Sequence, residues 1–283
     1  MAKSGVKNLE LIKVEGNKTS LESDLVAVEE PLEIRLNYGP TTKRKQTSLA
    51  ITMRTPGHDF ELVSGFLFNE GIIQSYSQIK EIKYCIELKD PLESENVVIV
   101  YLDTAVKINM DRFTRHFYIS SSCGVCGKTS IESLEEYECQ ILNDASRLIN
   151  VSTIQNLHKS INSQQTLFKH TGGLHAAALF EPGGELIRVR EDIGRHNAVD
   201  KLIGASLYHQ NIPLSDKIIL VSGRAGFELV QKSLMAGIPV MVAIGAPSSL
   251  ALDLARHYNM TLIGFSKDDR FNIYCGSRRF QDL

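Results

Sequence analysis

KIILVSGRAGFELVQKSLMAGIPVMVAIGAPSSLALDLARHYNMTLIGFS, Lys217 to Ser266, decides the fold. It opens with KIILVSG, a short run of branched apolar residues closed by glycine. ELVQKSLMAG then has helical composition, IPVMVAIG is again strand-like, SSLALDLARHYN helical and TLIGFS strand-like. Short apolar strands alternating with helices of ten or so residues build a layered α/β sheet. The same alternation extends upstream. VSTIQNLHKSINSQQ (Val151–Gln165) reads as a helix, LHAAALFEP (Leu174–Pro182) and ELIRVRE (Glu185–Glu191) as strands, and NAVDKLIGASLYHQ (Asn197–Gln210) as a helix. Residues 129–283 are therefore predicted to form one α/β domain.

Residues 25–120 read differently. LVAVEEPLEIRLN (Leu25–Asn37) and SLAITMR (Ser48–Arg54) are strand-like and separated by a turn at Tyr38-Gly39-Pro40. Thr55-Pro56 has the form of a helix start, threonine as cap and proline in the first turn. Phe60, Val63, Phe66 and Leu67 follow at helical spacing and are expected to face a core, and Gly71 to end that helix. IKEIKYCIEL (Ile79–Leu88) and ENVVIVYL (Glu95–Leu102) supply two more strands around Asp90-Pro91. This is a smaller α+β unit. Residues 1–24 are polar and expected to be a loose extension.

Composition narrows the function. With 283 residues, 43% hydrophobic, 23% charged and a net charge of −2, the chain is an ordinary globular protein without a basic excess for nucleic acid. The five cysteines, at positions 85, 123, 126, 139 and 275, are few and irregularly spaced, unlike a secreted disulfide framework. No apolar signal segment or membrane span is read, so a soluble, cytoplasmic protein with reduced thiols is expected.

Ser121 to Lys128 reads SSCGVCGK and forms a separate loop, residues 121–128, between the two units. Cys123 and Cys126 are each followed by glycine, so both sulfurs can come to one accessible place. Three uses compete: dithiol exchange, half of a zinc site, or a cysteine carrying sulfur as a persulfide. Lys128, Arg112, Arg115 and His116 are the nearby cations that would favour a thiolate. Zinc needs about four ligands. No second CxxC or HxxxH exists, and the H-x-E and P-C-x-x-C pair of zinc deaminases is absent, Ser122 standing where proline would be. A thioredoxin-like motif belongs after the first strand of a βαβ unit, whereas this one lies past residue 120.

Two further groups suit an anion. HTGGLHAAAL (His170–Leu179) and REDIGRHNAVDK (Arg190–Lys201) place Thr171-Gly172-Gly173 for close backbone approach, and Arg195 and His196 just ahead of a helix predicted over Ala198–Tyr208. The plainer reading is a solvated turn capped by Asn197. VSGRAGFE (Val221–Glu228), AIGAPSS (Ala243–Ser249) and GFSKDDR (Gly264–Arg270) each put glycine, serine or charge directly after a strand, where open α/β sheets bind ligands. Arg224, Ser248 and Arg270 could line one phosphate crevice, although none of these loops matches a Walker or GxGxxG fingerprint.

Taken together, EEPLEIRLN (Glu29–Asn37), MRTPGHDFELVSGFLFNEGII (Met53–Ile73), SSCGVCGK, HTGGLHAAAL, EDIGRHNAVDK, SGRAGFELVQKSLMAGIPV and IGFSKDDRFNIY resemble the FdhD/NarQ family in order from about residue 25 to 275. The resemblance implies a sulfurtransferase, a sulfur carrier required for formate dehydrogenase activity. It implies a C-terminal sheet of cytidine-deaminase-like topology without zinc, and a homodimer. A cysteine desulfurase would load Cys123 as the persulfide-bearing cysteine, and Cys126 would hold or relay the sulfur. The acceptor would be molybdenum in the Mo-bis(molybdopterin guanine dinucleotide) cofactor, bound at Phe265, Ser266, Lys267, Asp268, Asp269 and Arg270, before it enters the formate dehydrogenase catalytic subunit. His170, Arg195, His196 and Arg224 are added from the residues themselves as crevice candidates. A cofactor-binding chaperone without thiol chemistry and a dithiol oxidoreductase are the alternatives.

Overall fold

In the computed structural model, which describes residues 4–86, 95–108, 139–143 and 149–283, the N-terminus is a strand pair. β1 (Val6–Glu15) and β2 (Lys18–Ala27) run antiparallel, with Glu15 opposite Lys18. The expected loose extension is thus corrected, and residue 24 falls inside β2. Both faces of the pair stay largely exposed, so polar residues dominate it and its composition resembles a tail. The available signal was the two-residue turn Gly16-Asn17, with Gly16 at φ 61°, between alternating residues.

β3 (Glu30–Tyr38) and β4 (Lys45–Arg54) precede α1 (Asp59–Asn69), which is followed by β5 (Ile79–Tyr84) and β6 (Val97–Leu102). The four strands form one sheet in the order β4-β3-β6-β5. Leu32, Ile34 and Leu36 alternate inward with Val98, Val100 and Leu102, and pack with Leu62 and Val63 of α1. The helix begins at Asp59, not at Pro56, because Thr55 is used elsewhere. Its N–H donates to Asp192 Oδ2 at 3.2 Å and its Oγ1 accepts from Ile193 N–H at 3.2 Å. Phe60 is 37% exposed and leans on Tyr84, ring centroids 4.9 Å apart, rather than joining the core as Val63 and Leu67 do. The helix ends as expected. Gly71 takes φ 70°, its N–H donating to Phe68 C=O and that of Ile72 to Leu67 C=O.

The second sheet is built by α2 (Val151–Gln164), α3 (Thr166–Thr171), β7 (His175–Phe180), β8 (Leu186–Asp192), α4 (Arg195–Tyr208), β9 (Ile218–Val221), α5 (Phe227–Met235), β10 (Val240–Ala243), α6 (Ser249–His257), β11 (Thr261–Gly264) and β12 (Asn272–Cys275). Its order is β12-β11-β10-β9-β7-β8. β9, β10 and β11 are parallel, and β7, β8 and β12 are added antiparallel. The α/β reading holds as a mixed sheet. TLIGFS ends as a strand two residues early, and β12 follows where no further strand was expected.

Alternation divides this sheet between two layers. Ile219, Val221, Met241 and Ala243 face α4, α5 and α6, in a core continuous with the four-stranded sheet. Ile218, Leu220, Val240 and Val242 face Ile154, Leu157 and Ile161 of α2. Among the described residues no helix is long and apolar enough to cross a membrane.

The two sheets are joined where α1 crosses α4, glycine against glycine. A Cβ on Gly65 would lie 1.9 Å from Asp200 O, and one on Gly204 would lie 1.9 Å from Glu61 O. Around this crossing, Lys232 Nζ contacts Asp200 Oδ1 at 2.7 Å and Asn69 Nδ2 donates to the same oxygen at 2.7 Å. Burial works against the Lys232 charge, but Asp200 keeps the ammonium above the ordinary lysine value.

Arg190 Nη2 donates to Glu61 Oε1 at 2.7 Å, and His58 Nδ1 lies 3.4 Å from Oε2. Burial resists ionisation of Glu61, but the hydrogen bonds and charges of Arg190 and His58 outweigh it and hold the carboxyl at about 2. Its folded value lies below its unfolded one, so the ionised pair stabilises the fold at neutral pH. That contribution drains away as pH falls from 4.5 to about 2. Glu61→Gln is expected to flatten the pH dependence of the urea midpoint in that window, and a slope equal to wild type would remove Glu61 as its source.

Candidate functional site

The parallel strands β9, β10 and β11 end on one edge of the sheet, and their following loops lie side by side. Gly245 N–H donates to Gly223 C=O at 3.0 Å, Phe265 N–H to Gly245 C=O at 3.1 Å, and Ser266 N–H to Ala243 C=O at 3.1 Å. Such close stacking needs glycine. A Cβ on Gly245 would lie 2.9 Å from Arg224 Cγ and 3.0 Å from its Cα, and one on Gly264 would lie 2.9 Å from Pro247 Cδ. The antiparallel β7 brings its first residue, His175, to the same edge. β8 brings its last, Asp192, opposite it.

Phe265 has left-handed backbone, φ 52°, with its side chain 46% exposed. A bulky residue held in that region at a strand end is strain of the kind that collects at ligand sites. It is fixed from behind. Ser266 is fully buried with Oγ 3.1 Å from His158 Nε2 of α2, and Gln155 Nε2 donates to Asp269 C=O at 3.3 Å. Burial lowers the His158 pKa below the ordinary histidine value, so the ring is uncharged at neutral pH. Lys267 N–H closes onto Arg270 C=O at 2.8 Å, leaving Lys267, Asp268, Asp269 and Arg270 exposed. Behind this loop an open hollow of about 350 Å³ is lined by Gln155, Arg270, Phe271 and Ile273.

The opposite flank is α4, whose first residue is Arg195, three positions before the predicted start. Asp192 sets this start. Its Oδ1 accepts Gly194 N–H at 2.8 Å and Asn197 Nδ2 at 3.0 Å, and Oδ2 meets Lys201 Nζ at 2.7 Å. Asn197 is no cap. It also donates to Met53 C=O at 2.7 Å, while Lys201 donates to Thr55 C=O at 2.9 Å, tying this rim to the first sheet. Burial pushes the Asp192 carboxyl up, and the Lys201 ammonium opposes it. This network was missed from sequence. Asn197 and Lys201 stand four apart on one helix face, which was the signal to read.

The sequence-predicted residues separate accordingly. Arg224 is exposed on the β9 loop and Arg195 half-buried on α4, both at the edge. His196 is occupied, its Nε2 2.8 Å from Glu228 Oε2. Ser248 is the N-cap of α6, accepting Ala251 N–H at 3.2 Å, and stays exposed on the β10 loop at the same edge. His170 is exposed on α3 and, among the described residues, makes no hydrogen bond or ion pair with these loops. Gly172 closes α3 with φ 63°.

Cys123 and Cys126, with Lys128, Arg112, Arg115 and His116, lie outside the described residues. The other three cysteines are poor nucleophiles. Cys85 is 7% exposed. Burial pushes the Cys139 thiol up to about 11, with Sγ 3.4 Å from Met235 Sδ. Burial also raises Cys275, whose Sγ lies 3.2 Å from Met260 C=O. Among the described residues no three His, Cys, Asp or Glu side chains gather as metal ligands.

Chain segments on either side of residues 109–138 are anchored away from the crevice. Cys139 meets Met235 at the end of α5, and Leu142 N–H donates to Tyr258 C=O just past α6. Helices that leave the carboxyl edge end at the other edge, so this anchor sits there. Asp103, after β6, bonds Gln78 beside Tyr76, which stacks edge-on with Tyr208 at the end of α4.

A family model described as the FdhD/NarQ family matches residues 27–281, spanning both SSCGVCGK and FSKDDR. The chain belongs to the FdhD/NarQ family. Relatives named sulfur carrier protein FdhD include one from Streptomyces coelicolor, 44% identical over 271 residues that cover 95% of this chain and 93% of that protein. One from Mycolicibacterium paratuberculosis is 46% identical over 257 residues, 90% of this chain and 92% of the other. One from Sulfurisphaera tokodaii is 41% identical over 274 residues, 97% and 98%. A crystal structure from Desulfotalea psychrophila, provisionally assigned as a formate dehydrogenase accessory protein, superposes with TM-score 0.73 at 24% identity over 98% of this chain and 100% of that one. That likeness establishes a shared fold.

Proposed function

We propose that this FdhD/NarQ protein is a sulfur carrier for formate dehydrogenase, loaded on Cys123 and discharged at the carboxyl edge of the six-stranded sheet. The observation that carries this reading is the family match across residues 27–281, which embraces the CGVC pair and the Phe265–Arg270 loop together. Relatives of similar length named as sulfur carriers support it. The raised thiols of Cys139 and Cys275 support it too, since they leave SSCGVCGK as the place for a reactive thiolate.

In the first step the Cys123 thiolate attacks the outer sulfur of a cysteine desulfurase persulfide. One S–S bond forms, one breaks, and the desulfurase cysteine leaves as thiolate, so no oxidant or reductant is consumed. Cys126 holds or relays the sulfur. In the second step the outer sulfur passes as sulfane sulfur to its acceptor and Cys123 leaves as thiolate, while the acceptor, arriving in a reduced state, gives up the electron pair that makes that sulfur a sulfide. We take the acceptor to be the molybdenum of Mo-bis(molybdopterin guanine dinucleotide), a cargo to be handed to the formate dehydrogenase catalytic subunit. The exposed Phe265 ring suits a planar heterocycle, and Lys267, Arg270, Arg224 and Arg195 suit its phosphates. A homodimer, a cytoplasmic location and a cytidine-deaminase-like arrangement of the sheet belong to the same reading.

The test is mass spectrometry of the protein after incubation with a desulfurase and cysteine. One added sulfur atom, removable by dithiothreitol and mapped to Cys123 or Cys126, is the expected result. An unmodified pair under conditions that load a known acceptor would sink the carrier reading and leave a cofactor-binding chaperone.

A further inference from the structure

α2 carries two stripes. Ile154, Leu157 and Ile161 face the sheet. Val151, Gln155 and His158 recur at spacings of four and three, so they form a second stripe on a neighbouring face of the helix. This second stripe meets the connection between β11 and β12. Val151 and Gln155 line the hollow with Arg270, Phe271 and Ile273, and Gln155 Nε2 donates to Asp269 C=O at 3.3 Å. His158 Nε2 lies 3.1 Å from Ser266 Oγ, with the histidine 8% and the serine 0% exposed. α2 is itself held in place at its start. Val151 N–H donates to the Asp282 carboxylate at 3.1 Å, Ile149 N–H to Arg279 C=O at 3.1 Å, and Gln281 N–H to Ile149 C=O at 3.0 Å.

Ser266 directly follows Phe265, whose φ of 52° is costly for a bulky side chain and persists only where the surroundings over-determine it. In front, the N–H groups of Phe265 and Ser266 go to Gly245 and Ala243 C=O, which fixes where the chain leaves the sheet. Behind, the Ser266 hydroxyl is met by His158. We propose that His158 is a positioning residue: acting through Ser266, it holds Phe265 in the left-handed conformation that turns its ring outward to a ligand. The proposal rests on the reading of Phe265 as a stacking residue. His158 lies buried behind the loop and touches no ligand itself. Its ring is uncharged, because burial outweighs the opposing pull of Asp268 and the Ser266 backbone. A neutral amide of similar reach can therefore stand in for it. Gln155, half-buried and bound only to a carbonyl further along the loop, should matter less.

The chain contains no tryptophan, so Phe265→Trp places a single fluorophore at the position in question. In the full-length reporter chain without ligand, adding His158→Leu is expected to shift the emission and lower its anisotropy, and His158→Gln to leave both near the parent. Ser266→Ala removes the same hydrogen bond without adding bulk and should reproduce the His158→Leu signal. In chains that keep Phe265, isothermal titration with guanosine diphosphate should show roughly tenfold weaker binding in His158→Leu, the equivalent of one buried hydrogen bond, and near-normal binding in His158→Gln. An unmoved fluorophore in both His158→Leu and Ser266→Ala would overturn the proposal. So would wild-type affinity in His158→Leu, or a His158→Gln protein that melts normally yet fails as fully as His158→Leu. A fluorophore displaced by His158→Leu and restored by His158→Gln, in a chain that binds no guanosine diphosphate, would support the positioning role and defeat the cofactor reading instead.

Discussion

Cys123→Ala is expected to reduce maturation of a client formate dehydrogenase to background while the protein itself melts within the wild-type range. The loss should be complete because no other described thiol can deputise. Cys139 and Cys275 are raised by burial and Cys85 is enclosed between strands, and sulfur exchange depends on thiolate fraction and access. Formate-dependent dye reduction in cells that lack their own carrier measures it, with circular dichroism as the folding control. Cys126→Ala should fall between wild type and Cys123→Ala if its role is to relay. Full activity with Cys123→Ala would remove Cys123 as the persulfide carrier, and full activity with both cysteines replaced would remove the persulfide step from the proposed function.

The largest stability effect is expected at the α1–α4 crossing. In Gly65→Ala the new methyl would sit 1.9 Å from Asp200 O and 2.9 Å from Gly204 N, both backbone atoms that no rotamer change can move aside. The helices would have to separate. That would stretch the buried Asp200–Lys232–Asn69 cluster and the Glu61–Arg190 pair on either side of the contact. Overpacking together with a disrupted buried ion pair belongs among the exceptional substitutions, about 4 kcal/mol or more. Gly204→Ala should match it, since the clash is reciprocal. Gly226→Ala is the control. A Cβ there meets nothing within 4 Å and φ is −85°, so its urea midpoint should stay near wild type. A Gly65→Ala protein with an unchanged midpoint would contradict the close crossing.

Much of the six-stranded sheet was legible because β9, β10 and β11 are buried on both faces and read as unbroken apolar runs between amphipathic helices. The candidate edge was legible for the same reason, each strand ending in glycine or charge. What escaped were features set by partners distant in sequence. Thr55 resembled a helix cap by local chemistry, but Asp192, far along the chain, takes its N–H. Ser248 was read for its place in a strand-end loop, and its capping of α6 was not. His196 was read as a crevice candidate and is bound to Glu228. The β1–β2 pair escaped for the opposite reason. It makes almost no core, so hydrophobicity carried no signal, and only its turn did.

The anchoring of Cys139 against Met235 and of Leu142 against Tyr258, behind the sheet rather than beside its carboxyl edge, has a bearing on traffic. Anything that covers the ends of α5 and α6 leaves Phe265 and Arg195, at the far edge of the sheet, open to approach.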